Sequence, residues 1–195
     1  LAGEGATKFA RLMGFEEYDP LTPERKKQWE EIINSLKRGE VTSYAKYWSK
    51  IKDFVKLGTV GAVALDVHGN IAAGTSSGGF PLKLPGRVGD VPIINASTYA
   101  SNVCGVSLSG SGEIILQNML ARRIHDSVVE GRTPEDALVY NFRSIIDRFG
   151  SQALLAGIVL NNKGEVGVVR NTEKFPHAYF KKGMDKPIIG FGKII

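Results

Sequence analysis

Hydrophobic and polar positions follow two different periods along this 195-residue chain, and the change comes at Thr59. The residues before it are charged and helix-prone. Phe9-Ala-Arg-Leu-Met13 reads as the end of a short helix closed by Gly14 and a turn through Asp19-Pro20. Thr22-Pro-Glu-Arg25 offers an N-cap threonine with proline at the first helical position, starting a helix that ends near Gly39. From Glu40 to Gly58, polar and aromatic residues including Tyr44, Tyr47 and Trp48 follow without a clear period, which is the mark of a linker. Beyond Thr59 the small and β-branched run Val60 to Leu65 predicts a buried strand. A turn at Val67-His-Gly-Asn70 and a second strand, Ile71 to Thr75, complete a hairpin.

Later in the chain the helical period returns. A helix is predicted from about Glu113 to Glu130, with Leu116, Met119, Leu120, Ile124 and Val128 as its apolar stripe and Gly131 as its stop. Thr133-Pro-Glu-Asp136 caps another, which buries Ala137, Leu138 and Ile145 and ends near Gly150. Strands Leu154 to Leu160 and Val166 to Val169 follow, joined by Asn161-Asn-Lys-Gly164. The order strand, strand, helix, helix, strand, strand is that of an α+β protein, in which antiparallel strands share a sheet with helices packed against it.

Composition narrows the class. With 43% hydrophobic and 23% charged residues the chain is an ordinary globular one, long enough for one domain with a sizeable core. The net charge of +5 does not point to nucleic acid, because basic residues are interleaved with acids, as in Glu24-Arg-Lys-Lys-Gln-Trp-Glu-Glu31. No apolar run approaches membrane-spanning length and the first residues carry no apolar signal core, so neither a membrane nor a nucleic-acid partner is expected and the expected location is cytoplasmic. The single Cys104 excludes an internal disulfide framework and reads as a small buried thiol. Histidines 68, 125 and 177 stand too far apart for metal-ligand spacing, and the sequon Asn95-Ala-Ser97 reads as a chance match.

Three polar clusters next to glycines are not asked for by hydrophobic-core logic: Thr75-Ser-Ser-Gly-Gly79, Pro85-Gly-Arg-Val-Gly-Asp90 and Ser107-Leu-Ser-Gly-Ser-Gly-Glu113. A threonine hydroxyl attacks a carbonyl only when a base removes its proton, and a free α-amine, with pKa about 7.7–8.0, can do so near neutral pH. Thr59 would own such an amine if the Gly58-Thr59 bond were cut; glycine tolerates the strained backbone that an N-to-O acyl shift requires. Arg87 and Asp90 match the inverse charges of an amino-acid head group, or else form a surface ion pair. Ser109, Gly110, Ser111 and Gly112 lead into a predicted helix start and suit a developing oxyanion, or else form a flexible loop with a serine cap.

Taken together, Gly58-Thr-Val-Gly-Ala-Val-Ala-Leu-Asp66, Thr75-Ser-Ser-Gly-Gly79, Pro85-Gly-Arg-Val-Gly-Asp90 and Ser109-Gly-Ser-Gly-Glu113 resemble, in order and spacing, the plant-type L-asparaginases or isoaspartyl peptidases. These are N-terminal nucleophile hydrolases. The resemblance runs from Thr59 to the end, and Gly3-Glu-Gly-Ala-Thr-Lys-Phe-Ala10 is similar to a helical stretch of the family's α subunit. It implies an αββα sandwich, here without the N-terminal part of the family fold. Residues 1–58 would be the C-terminal part of the α subunit with its linker, and residues 59–195 the β subunit. It implies that Thr59 is the nucleophile, released by self-cleavage after Gly58, with Ser77 hydrogen-bonded to its hydroxyl. By the same likeness Arg87 and Asp90 hold the substrate's carboxylate and ammonium, Ser109 and Gly110 form the oxyanion hole, and Gly112 lies against the ammonium. The family usually carries threonine where this chain has Ser77 and Ser109; the hydroxyl is retained. The implied substrates are L-asparagine and β-aspartyl dipeptides, the implied assembly a homodimer of αβ units. No catalytic cofactor is implied, and a structural sodium ion belongs to the family's N-terminal segment. Glycosylasparaginase, a taspase-like hydrolase, or an uncleaved amino-acid-binding precursor are the alternatives.

Overall fold

The computed structural model describes residues 1–39, 58–79, 83 and 86–195, which fall into two compact units, Leu1–Lys56 with Phe80–Arg87 and Leu57–Gly79 with Val88–Ile195. In the first unit α1 spans Gly3–Leu12 and α2 spans Pro23–Lys37, close to expectation. Thr22 caps α2 as its sequence requires, its Oγ1 accepting the Arg25 N–H at 3.3 Å. Neither helix has a buried residue, and Phe9, Leu12, Met13 and Trp29 are exposed. The expected linker from Glu40 lies outside the described residues as far as residue 57.

In the second unit β1 (Thr59–Leu65) and β2 (Ile71–Ser77) form the predicted antiparallel hairpin, with seven register pairs from Thr59↔Ser77 to Leu65↔Ile71. Asp66 organises its turn, accepting N–H bonds from His68 and Asn70 at 2.8 Å each. The main sheet has five strands in the order β3-β4-β5-β6-β9: β3 (Thr98–Ala100), β4 (Cys104–Gly110), β5 (Leu155–Asn161), β6 (Val166–Arg170) and β9 (Lys193–Ile194). All neighbours pair antiparallel except β6 and β9. A separate small hairpin joins β7 (His177–Tyr179) to β8 (Ile188–Gly190).

Helices α3 (Gly112–Gln117), α4 (Leu120–Val129) and α5 (Pro134–Phe149) supply the other half of the core. Ile115, Leu120, Ile124, Leu138, Phe142 and Ile145 are buried with Val106, Leu108, Leu155, Val159 and Val169 of the sheet. Each such side chain contributes roughly 1.5–3 kcal/mol on leaving water. The hairpin lies on the sheet's other face, where a side chain added at Gly105 would meet Val63, Ile71 and Ala73. The second unit is thus built of helices, a five-stranded sheet and a hairpin in successive layers, and the α+β class expected from the sequence is observed.

Two expectations need correction. The single helix from Glu113 to Glu130 is two, because Met119 adopts a left-handed conformation (φ 45°) between α3 and α4 and its side chain is exposed instead of joining the stripe. The break has a tertiary cause. The first N–H groups of α4 donate to carbonyls from another segment, Ala121 to Ala96 at 2.8 Å and Arg122 to Asn95 at 3.0 Å, while the Asn118 side chain takes the Ile114 carbonyl at 2.8 Å. The second correction is β4. No strand was expected there, and a flexible loop was the alternative for Ser109 to Gly112; Ser107-Leu-Ser-Gly is the end of a strand with two hydrogen-bonded neighbours. Cys104, Val106 and Leu108 face the helices, and the small Gly105 and Ser107 face the hairpin.

Candidate active site

The register of the hairpin determines what stands beside Thr59. Thr59 opens β1 opposite Ser77, the last residue of β2, and its Oγ1 donates to Ser77 Oγ at 3.0 Å. Ser77 Oγ also accepts the Gly79 N–H at 3.0 Å, which fixes its lone pairs and so the direction of the Thr59 bond. Thr59 and Ser109 line one cavity of about 910 Å³, together with the edge of β1, the face of β5 and β6, and the segment from Lys174 to Lys182. Lys174, Lys181 and Lys182 give that far wall positive charge, and His177 stands on it.

Ser109 is buried at the end of β4, and the residues after it are pinned. Ser111 N–H donates to the Leu154 carbonyl at 2.8 Å, its Oγ donates to the Gln152 carbonyl at 2.6 Å, and that same Oγ accepts the Leu154 N–H at 3.1 Å. Gly110 has φ +149°, and a Cβ there would lie 2.0 Å from the Leu154 carbonyl oxygen, so only glycine fits. The backbone from Ser109 to Gly112 is therefore a fixed surface, and the flexible-loop alternative falls. Gly112 begins α3, a helix of six residues whose dipole is correspondingly a small contribution.

The structure thus gathers Thr59, Ser77 and Ser109, with Gly110 attached to Ser109. Asp90 belongs to the same unit, is 8% exposed, and accepts the Ile93 N–H on its carbonyl at 3.1 Å. Arg87 is half-buried and belongs to the first unit. Neither residue lines the cavity.

Other reactive groups stand apart. Cys104 is fully buried on the helical side of the sheet, and burial, aided by the negative charge of Asp126, pushes its thiol up to about 12. His125 is also on that side: Nε2 is 2.7 Å from Ser101 Oγ, Nδ1 is 3.1 Å from Asp126 Oδ1, and the ring meets Tyr99 edge-on. Ser97 of the sequon has no exposure. Among the described residues no group of three or more His, Cys, Asp or Glu is placed to hold a metal ion, and no helix is long and apolar enough to cross a membrane. Sequence reasoning assigned no role to Thr75, Thr98 and Ser107, which meet through their hydroxyls just below Thr59; the signal available was the spacing of two between Ser107 and Ser109.

Known proteins resemble this chain over most of its length. The family described as Asparaginase matches residues 1–189. A plant-type L-asparaginase of Pyrococcus abyssi is 44% identical over 193 residues, covering 97% of this chain and 62% of its own length. An isoaspartyl peptidase of Escherichia coli is 34% identical, covering 97% of this chain and 59% of its own. An isoaspartyl peptidase/L-asparaginase of Xenopus laevis is 37% identical over 83% of this chain and 49% of its own. The chain thus spans about three fifths of the length of the archaeal and bacterial relatives.

Proposed function

The chain belongs to the asparaginase family, and from that premise we propose that the whole protein is a self-cleaving amidohydrolase acting on L-asparagine and β-aspartyl dipeptides. The observation that carries the reading is Thr59, preceded by Gly58, at the start of a strand with its hydroxyl 3.0 Å from Ser77 and Ser109 on the same cavity. In the precursor the Thr59 hydroxyl attacks the Gly58 carbonyl, and the resulting ester is hydrolysed to leave Thr59 with a free α-amine. Residues 1–58 then end an α subunit and residues 59–195 form a β subunit.

In turnover, the α-amine takes the Thr59 proton as the hydroxyl oxygen attacks the substrate's side-chain carbonyl. Ser77 orients that oxygen. Ser109 and the Gly110 backbone hold the oxyanion on a surface that does not have to reorganise, which is where such groups are most effective. Collapse expels ammonia from asparagine or the amine of a dipeptide, and water then releases aspartate from the acyl-enzyme. Arg87 takes the substrate's α-carboxylate, and Asp90 with Gly112 takes its α-ammonium. No cofactor enters these steps. A homodimer of αβ units, a cytoplasmic location, and small-molecule partners without nucleic acid or membrane complete the proposal.

Intact mass and an ammonia-release assay test it on the full-length protein. The wild type should split between Gly58 and Thr59 and release ammonia from asparagine, and Thr59→Ala should stay one polypeptide without turnover. Fragments with the same boundary in Thr59→Ala would exclude Thr59 as the nucleophile, and an unsplit wild type would favour an amino-acid-binding precursor.

A further inference from the structure

The face of β4 turned toward the hairpin changes chemistry residue by residue along its length. Gly105 packs against Val63, Ile71 and Ala73, an apolar layer. One step along, Thr75 Oγ1 lies 2.7 Å from Ser107 Oγ, and Thr98 Oγ1 donates to Thr75 Oγ1 at 2.5 Å. Thr98 and Ser107 are direct partners across β3 and β4, so this chain of hydroxyls joins the two sheets. Opposite Thr75 in the hairpin stands Gly61, and a Cβ there would lie 2.1 Å from Ser107 Oγ. The next step carries Thr59 and Ser77 on the hairpin and Ser109 on β4.

Apolar side chains would fill the middle layer as they fill the one below it. Hydroxyls do something different there. Hydrogen-bonded oxygens approach to about 2.7 Å, whereas carbon atoms in contact rest at about 3.5–4.0 Å. The polar layer therefore draws the hairpin toward β4 by roughly 1 Å compared with an apolar one, and it does so one residue pair from Thr59. Gly61 admits the approach, since any side chain would occupy the place of the Ser107 hydroxyl.

We propose that the hydroxyl chain of Thr98, Thr75 and Ser107 is a positioning device that sets the spacing between hairpin and β4, and through it the approach of the Thr59 hydroxyl to the Ser109-Gly110 backbone. Thr75 and Ser107 are positioning residues in this scheme, which rests on the assignment of Thr59 as nucleophile. They touch no reacting atom.

The test measures kcat and KM on asparagine, the rate of self-cleavage and the thermal midpoint for the full-length protein. Thr75→Val keeps the shape and Ser107→Ala removes one oxygen. Each should lower kcat about tenfold to a hundredfold, the cost of a misplacement near 1 Å, and slow self-cleavage. KM should stay within about threefold, because the substrate's charged groups are bound elsewhere. Thr75→Ser retains the hydroxyl and should keep kcat within about threefold of wild type. Thr75→Ser and Thr75→Val together separate packing from hydrogen bonding: serine, which loses only the methyl, should lower the thermal midpoint and keep kcat, whereas valine, which keeps the shape, should lower kcat. If kcat instead falls in step with the midpoint across these variants, the layer is merely structural and the proposal is overturned. It is overturned equally if Thr75→Val and Ser107→Ala keep wild-type kcat. Should Thr75→Val fail to fold, Ser107→Ala decides alone. A wild type that neither splits nor turns over sinks the proposed function, whereas an active wild type with unaffected variants sinks this inference only.

Discussion

Gly110 is where backbone and chemistry constrain one another most tightly. Its φ of +149° is open to glycine and strained for any L side chain, and the Leu154 carbonyl closes the space from outside. Gly110→Ala should accordingly cost about 2–4 kcal/mol, the sum of backbone strain and overpacking, read as a lower urea midpoint with an unchanged slope. A variant with the wild-type midpoint would show that this backbone yields easily, and the proposal of a fixed oxyanion surface would go with it. The serines tell a complementary story. Ser77 retains the hydroxyl that receives the Thr59 bond, and the methyl a threonine would add plays no part in that contact.

Among the elements, those whose signals are local were legible in the sequence. Thr22 and Thr133 each accept the N–H bond that a cap demands, and the helices they start end at the expected places. The hairpin was legible too, from its small and β-branched run and the turn at Val67-His-Gly-Asn70, although β1, expected to be buried, is half-buried or exposed at every position. What was not legible depends on distant chain. The interruption of the helix at Met119 is stabilised by carbonyls of Asn95 and Ala96, and no window around Met119 contains them. In β4 the alternation is present, but glycine and serine occupy the hairpin-facing positions, so a strand that is buried on both faces looks like a loop. The candidate residues Thr59, Ser77, Ser109 and Gly110 stood out in the sequence because they sit in short motifs, whereas Thr98 drew notice only when β3 paired with β4.

Within α4, Asp126 has a testable charge. Burial alone would raise its carboxyl, but hydrogen bonds from His125 and Arg122, with the Arg122 charge, outweigh that and hold it below the usual carboxylate range. A carboxyl whose folded pKa is depressed adds stability above its unfolded value, about 3.9, and that stability disappears as pH falls through the lower folded value. Asp126→Asn should therefore lower the thermal midpoint at neutral pH and converge with wild type in acid. Because the side chain is 46% exposed, the difference should stay below about 1 kcal/mol. A gap that persists unchanged in strong acid would assign the effect to packing.

For the molecule as a whole, the histidines bear on the identity of the base. His68 lies in the hairpin turn, His125 behind the sheet, and His177 on the wall of the cavity that Thr59 lines. If the Thr59 α-amine is the base, kcat/KM should rise with pH along one ionisation, since only the neutral amine accepts a proton. Each His→Ala variant should keep that rising limb, and His177→Ala is the decisive one because of its place; loss of the limb there would transfer the role to the imidazole. Cys104 has a use beyond catalysis. It is the sole sulfhydryl, sealed between β4 and the helices and held protonated, so a disulfide reagent in solution can modify it only when the β4 layer opens. The modification rate in native buffer, divided by that of the denatured chain, is the fraction of time this core spends open. The protein carries its own clock for breathing, with no label added.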